Sequence, residues 1–241
     1  MHLSVISWQT HRENLLLPGD FEVSAFTHSP SSGNSMMLML VIFIAAYLAG
    51  SFPTAYFVVK RISRIDIRAA GSGNVGGFNA YEVSGRKSAG ILVAAVDVFK
   101  GAVVTWLVLF YVPGSPLIIC GAFLAVVVGH CFPIWLKFRG GRGLATAAGA
   151  LTVIAWPFVG IWLFGWTVTY AASKQIHLGN VVGTAFMLVA ALILQDSWLA
   201  AIVRPEIPLS YFRILMLALS TILLVRHIES IKIWLQEYQQ S

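Results

Sequence analysis

Two glycine-rich segments carry residue types able to hold an anion. In Gly71-Ser72-Gly73-Asn74-Val75-Gly76-Gly77, a hydroxyl and an amide stand among glycines. Glycine lets the backbone bend and approach a ligand closely, so successive N–H groups can surround a negative charge. Ser72, Asn74 and Asn79 add neutral donors and acceptors. The run formally contains GxGxxG, but a dinucleotide site needs a strand before it and a helix after it. Here a long apolar block precedes it, which excludes that reading. The second segment is Lys137-Phe138-Arg139-Gly140-Gly141-Arg142-Gly143, directly before a helix expected from Leu144. Free N–H groups and the positive end of that helix favour a bound phosphate, and Arg139 and Arg142 offer forked hydrogen bonds to its oxygens. The GxxxxGK[ST] spacing of a nucleotide loop is absent. For each segment the bland alternative is a loop that only turns the chain or, being basic, fixes its orientation.

Other polar residues are isolated in apolar surroundings. Asp97 and Lys100 fall mid-block at i, i+3, on one helix face, where ionisable groups pair with each other or line a polar cavity. His130, beside Gly129 and before Cys131-Phe132-Pro133, reads as a hydrogen-bonded structural histidine. His227, in Arg226-His227-Ile228-Glu229-Ser230, follows the last apolar block. At a membrane surface it titrates near neutrality and suits a general base or an interfacial anchor. His177 and Asn180 read as helix caps. Cys120 and Cys131 read as buried apolar residues, and no metal-ligand cluster is visible.

The elements that must position these groups are membrane helices. Of the 241 residues, 58% are hydrophobic and only 11% charged, against about 25% charged in a soluble domain. The apolar residues come in blocks, and about 20 of them in a helix cross the bilayer core. Crossings are expected at 37–59, 88–112, 117–136, 178–195 and 210–225. Residues 144–173 are expected to form two short helices, 144–155 and 158–173, separated at Trp156-Pro157 because proline removes a helical donor. The segment 196–208 is expected to be interfacial or outside. With seven crossings and the N-terminus outside, Lys60 to Lys87, Lys137 to Arg142, Lys174, Arg226 and Lys232 all fall inside. Only Arg12, Arg204 and Arg213 fall outside, as the positive-inside rule requires. The net charge of +6 is thus a topology signal, with no nucleic acid implied. Residues 1–35 are mixed and polar, without signal-peptide character, and are expected to be a disordered extension or to precede the true start codon. The membrane domain is expected at 36–232, with a short cytoplasmic tail at 233–241.

Taken in order, the segments resemble the PlsY family of bacterial membrane acyltransferases. The resemblance runs from about Ala46 to Lys232. It includes Gly50-Ser51-Phe52-Pro53, Asp66-Ile67-Arg68, Gly71-Ser72-Gly73-Asn74 and Asp97 with Lys100-Gly101. Gly129-His130 with Phe132-Pro133, Phe138 to Gly143 with Ala145-Thr146, and His227-Ile228-Glu229 complete it. It implies an all-α bundle of seven transmembrane helices in the bacterial inner membrane, C-terminus cytoplasmic. It also implies transfer of a fatty acyl group from acyl phosphate to glycerol 3-phosphate, giving lysophosphatidate for phospholipid synthesis. No cofactor is implied.

By resemblance, Ser72, Asn74 and His227 belong to catalysis. Gly71, Gly73, Asn79, Lys137, Arg139, Gly140, Gly141, Arg142 and Gly143 bind substrate. Asp97, Lys100, His130 and Glu229 are structural near the site. Four positions depart from the family pattern. Glu82 replaces an arginine, Phe78 a threonine, Ser230 an asparagine and Arg142 a lysine. A carboxylate cannot bind a phosphate dianion, so the role of that arginine falls to Arg64, Arg68 or Arg86, or is absent. The competing readings are a small-anion transporter, for which no inverted repeat is visible, and a non-catalytic relative.

Overall fold

Proline and glycine set most of the helix boundaries. In the computed structural model, which describes residues 32–228 and 231–232, α1 (Ser32–Ser51) ends just before Pro53, and α2 (Thr54–Ser63) restarts the helix. The crossing expected at 37–59 is therefore broken at Phe52-Pro53. It also begins upstream, at Ser32; the earlier part of the proposed N-terminal extension lies outside the described residues. Next come α3 (Gly77–Ser84), α4 (Lys87–Tyr111) and α5 (Pro116–Cys131). The first glycine-rich segment thus turns directly into α3, which ends where Gly85 takes a left-handed φ of 67°, a common helix stop.

The remaining helices are α6 (Leu144–Ala155), α7 (Pro157–Ser173), α8 (Ile176–Ile193), α9 (Asp196–Ile202) and α10 (Leu209–Val225). The break at Trp156-Pro157 falls where expected, with Pro157 in the first turn of α7, where its missing N–H costs nothing. The segment expected to be interfacial begins as α9. Among the described residues there is no strand, and four helical runs are long and apolar enough to cross a membrane: Ser35–Ser63, Lys87–Tyr111, Pro116–Leu136 and Ile176–Ile193.

Large apolar side chains cover the outside of the bundle as well as filling it. Ile44, Phe99, Phe110, Ile193 and Ile214 are each more than half exposed; in water this would be a broad aggregation surface, and against lipid it is the expected exterior. Phe123, Phe158, Phe212, Met187 and Leu219 fill the interior, with Phe158 edge-on to Phe212 at 5.0 Å between ring centres. Lipid gives little hydrophobic drive for helix association, so close backbone approach matters more. Gly101 of α4 and Gly149 of α6 supply it: a Cβ at either would overlap a carbonyl oxygen of the facing helix, Thr146 and Val98 respectively. The described residues from Leu38 onward form one compact unit.

Candidate active site

The first glycine loop is shaped by its own neighbours. Asp66 opens a turn of 3₁₀ helix, accepting from the Arg68 N–H at 3.0 Å and gripping the Arg68 guanidinium through both oxygens. That pairing holds the Asp66 carboxyl down at about 2, the side-chain hydrogen bond being the main cause. Gly71 and Gly73 then turn through φ of 57° and 68°, values that L-side chains rarely adopt. Asn79 is buried in the first turns of α3 and points back at the loop. Its Oδ1 accepts the Ser72 N–H at 3.0 Å, and its Nδ2 donates to the carbonyls of Ile67, Ala70 and Asn74 at 3.3, 3.2 and 2.9 Å. Asn79, expected to touch substrate, instead has its amide engaged in the loop backbone. The Ser72 hydroxyl and the Asn74 side-chain amide have no partner among the described residues.

The second loop is held from a distance. After α5 the chain makes one turn of 3₁₀ helix, Ile134–Leu136, and passes through left-handed φ at both Lys137 (54°) and Phe138 (63°), an uncommon conformation for residues with a Cβ. Gly141 donates its N–H to the His130 carbonyl at 3.1 Å, and a Cβ there would overlap His130 Nε2. Arg226, just past the end of α10, forks onto this loop. Its Nε donates to Gly141 O and its Nη2 to Gly140 O, each at 3.0 Å, with the guanidinium 5.0 Å above the Phe132 ring. Gly143, φ 87°, starts α6.

A polar cluster lies beneath the loops. Asp97 Oδ1 receives Lys100 Nζ at 2.8 Å and the Thr54 hydroxyl at 3.4 Å, with His130 Nδ1 at 3.5 Å. Lys100 Nζ also reaches His130 Nδ1 at 3.0 Å and Phe52 O at 3.4 Å. Phe52 is the residue before Pro53, so the helix break supplies a carbonyl that the lysine takes. Asp97, 2% exposed, therefore ties α2, α4 and α5 together, as expected of a structural group at this depth.

Both loops line cavities that share Asn74, Arg142 and His177 in their walls. One cavity, about 560 Å³, is lined by Ser72, Asn74, Arg139, Gly140, Arg142 and Arg226 among others. Another, about 580 Å³, brings Asn74, Asp97, His130, Arg142 and Asn180 against the apolar Ile91 and Leu144. Leu144 and Ala145 are shared with an apolar slot of about 230 Å³ that continues past Leu151 to Trp162. Burial and the nearby Arg226 charge lower the Arg142 pKa from its ordinary value, with Glu82 acting in the opposite direction. A desolvated guanidinium close to a second positive charge is a setting that an anion relieves.

The expected site residues divide. Gly71, Ser72, Gly73, Asn74, Arg139, Gly140, Arg142 and Gly143 line these cavities, as do Asp97 and His130, with Lys100 paired to both of the latter. Lys137 is exposed and lines none of the cavities described here. His227 is a correction. It is 1% exposed, with Nδ1 2.7 Å from Leu223 O and Nε2 3.3 Å from Asn180 Nδ2, and burial lowers its pKa to about 4. It is not the surface base expected from its place after the last helix. Glu229 lies outside the described residues. Of the substitutes proposed for the missing arginine, Arg68 is held by Asp66, and Arg64 and Arg86 are exposed away from the cavities. His177, read only as a cap, faces both loops with Nδ1 3.0 Å from Arg142 Nη1. Arg226 was read only as a topological charge. Neither role has a local sequence signal.

The family described as Glycerol-3-phosphate acyltransferase matches residues 40–237. The chain belongs to that family. Among curated relatives of the same description, the protein of Gloeobacter violaceus is 38% identical over 151 residues, covering 61% of this chain and 73% of the relative. That of Anaeromyxobacter dehalogenans is 32% identical over 200 residues, covering 81% and 93%. The fold is that of PlsY, an integral membrane glycerol 3-phosphate acyltransferase, whose crystal structure in the glycerol 3-phosphate form superposes with a TM-score of 0.70 at 24% identity, covering 83% of this chain and 93% of the other. The lysophosphatidic acid form gives 0.68.

Proposed function

We propose that this glycerol-3-phosphate acyltransferase takes its acyl group from acyl phosphate, with the two glycine loops holding the phosphates of donor and acceptor and the apolar slot receiving the acyl chain. The observation that carries this reading is the succession of cavities from the two loops to the slot beyond Leu144, adjoining ones sharing Asn74 and Arg142, then Leu144 and Ala145, in their walls. The acceptor hydroxyl attacks the acyl carbon, a new C–O ester bond forms, and the bond from that carbon to the phosphate oxygen breaks. The proton passes to the departing phosphate, so lysophosphatidate and hydrogen phosphate leave and no cofactor enters the balance. His227 is buried and His177 Nδ1 faces Arg142, so a phosphate group with a second pKa near 6 is the better proton acceptor. Fixing both reactants with the reacting atoms in contact removes much of the entropic barrier, while Ser72 and Asn74 offer hydrogen bonds to the charge that develops.

The proposed setting is the inner membrane of a bacterium, crossed seven times with the N-terminus outside. The site gathers the ends of α2, α5 and α10 and the starts of α4, α6 and α8, so successive helices alternate in direction. The basic residues Lys60 to Lys87, Lys137 to Arg142, Lys174 and Arg226 cluster at that end. A cysteine placed at Ser115 should react with a membrane-impermeant thiol reagent in whole cells and one at Ser173 should not; the reverse pattern would invert the topology.

The activity is tested with purified protein, palmitoyl phosphate and glycerol 3-phosphate. Lysophosphatidate and phosphate appearing one for one supports the reading. Phosphate without lysophosphatidate indicates a hydrolase, and an acylated Ser72 found by mass spectrometry would replace direct transfer by a covalent route.

A further inference from the structure

A loop that binds an anion through backbone N–H groups must turn the matching carbonyls away, and those carbonyls need partners of their own. In the second loop both partners come from one side chain, Arg226, which reaches Gly140 O and Gly141 O at 3.0 Å from 86 and 85 positions along the chain. The two peptide planes that it holds differ. In the Gly140–Gly141 plane the N–H is already taken by the His130 carbonyl, so that plane is pinned from both sides. In the Gly141–Arg142 plane the Arg142 N–H has no partner among the described residues. A trans peptide sets it opposite the carbonyl that Arg226 holds, and Arg142 and Gly143 both line the cavity of about 580 Å³.

We propose that Arg226 is a positioning residue for phosphate binding. By clamping the Gly140 and Gly141 carbonyls it presents the Arg142 N–H and the unpaired N–H groups that begin α6 to a phosphate. This rests on the reading that the second loop holds a substrate phosphate. A cation behind the carbonyls also polarises the peptides so that their N–H ends become better donors. Lysine keeps the charge but cannot span two carbonyls with a planar fork; stacking over Phe132 fixes the fork's plane.

The test compares wild type, R226K and R226A in detergent. The expected result is an R226K protein with nearly wild-type thermal stability. Its KM for one phosphate-bearing substrate and the inhibition constant of inorganic phosphate should both rise at least about tenfold, with a smaller change in kcat. Added methylguanidinium should restore part of the R226A activity. A folded R226K with unchanged KM and unchanged phosphate inhibition, or R226A losing only kcat and not rescued, overturns the proposal. A second readout needs no turnover, so it separates this claim from the acyl-transfer reading. Inorganic phosphate should raise the melting temperature of wild type and not of R226K. Equal stabilisation of both proteins, or of neither, overturns the proposal.

Discussion

The two glycine loops reach similar ends by opposite means. The first is held from within: Asn79, seven positions after Ser72, satisfies four backbone groups of the turn it follows. The second is held from outside, by His130 at the end of α5 and by Arg226 after α10. A locally held loop can form as soon as α3 does. A remotely held loop exists only once α10 has packed, which makes the shape of the second loop conditional on the finished bundle. Polar ends of membrane helices are free to take such roles because no apolar surface is lost by it.

The largest effect should come from Asn79→Ala. Four hydrogen bonds at about 0.5–1.5 kcal/mol each disappear together. Activity in the acyl-transfer assay should therefore fall by about 10²- to 10³-fold, with KM for the phosphate substrates raised. An active variant would show that the first loop keeps its shape without its internal brace. Gly140→Ala comes next, because its Cβ would overlap the His130 carbonyl oxygen and the Pro133 ring. A loss of about 10²-fold is expected, with an intact first loop reported by unchanged protection of the Ser72 amide in hydrogen exchange. Loss of protection at both loops would mean that they are one cooperative unit and end the distinction drawn above.

His227 sharpens the comparison through pH. Its ring is held neutral in the fold, with the pKa lowered to about 4 against roughly 6.5 in the unfolded chain. Between those values the unfolded state binds more protons, so this contribution to stability is complete above about pH 6.5 and is lost as pH falls toward 4. His227→Gln should flatten the fall in melting temperature over that window and leave the shape of the pH–rate profile above pH 6 unchanged. Disappearance of an acidic limb near neutrality in the variant would restore His227 as the base. The smallest effect is expected for Lys137→Ala, exposed and away from the cavities: a change within about twofold in kcat/KM, measured in the same assay.

Legibility followed the same division. The first loop could be read because glycine, serine and asparagine occur together in a run, and Trp156-Pro157 marked the α6–α7 break because proline acts on its own helix. The brace role of Asn79 was missed since an asparagine in a glycine-rich run looks like a ligand contact. The helix α3 falls between two expected crossings and has no signal of its own, because it is short and bounded by Gly77 and Gly85. His227 was misjudged because its position after an apolar block suggests a surface, whereas Asn180 of α8 meets its ring. Arg226 and His177 act on groups tens of residues away, and nothing nearby in the chain marks them. Arg139 and Arg142 supply positive charge at the cavity that Ser72 and Asn74 line, where no arginine of the first segment is among the lining residues.

The most direct measurement is acyl transfer from palmitoyl phosphate to radiolabelled glycerol 3-phosphate by wild type, Ser72→Ala and Arg142→Ala, one change in each loop, with folding of each protein checked by its melting curve. Labelled lysophosphatidate from wild type, falling by about 10²-fold or more in each folded variant, is the predicted result. Absence of product from folded wild type, or full activity in either variant, would contradict a reaction shared between the two loops.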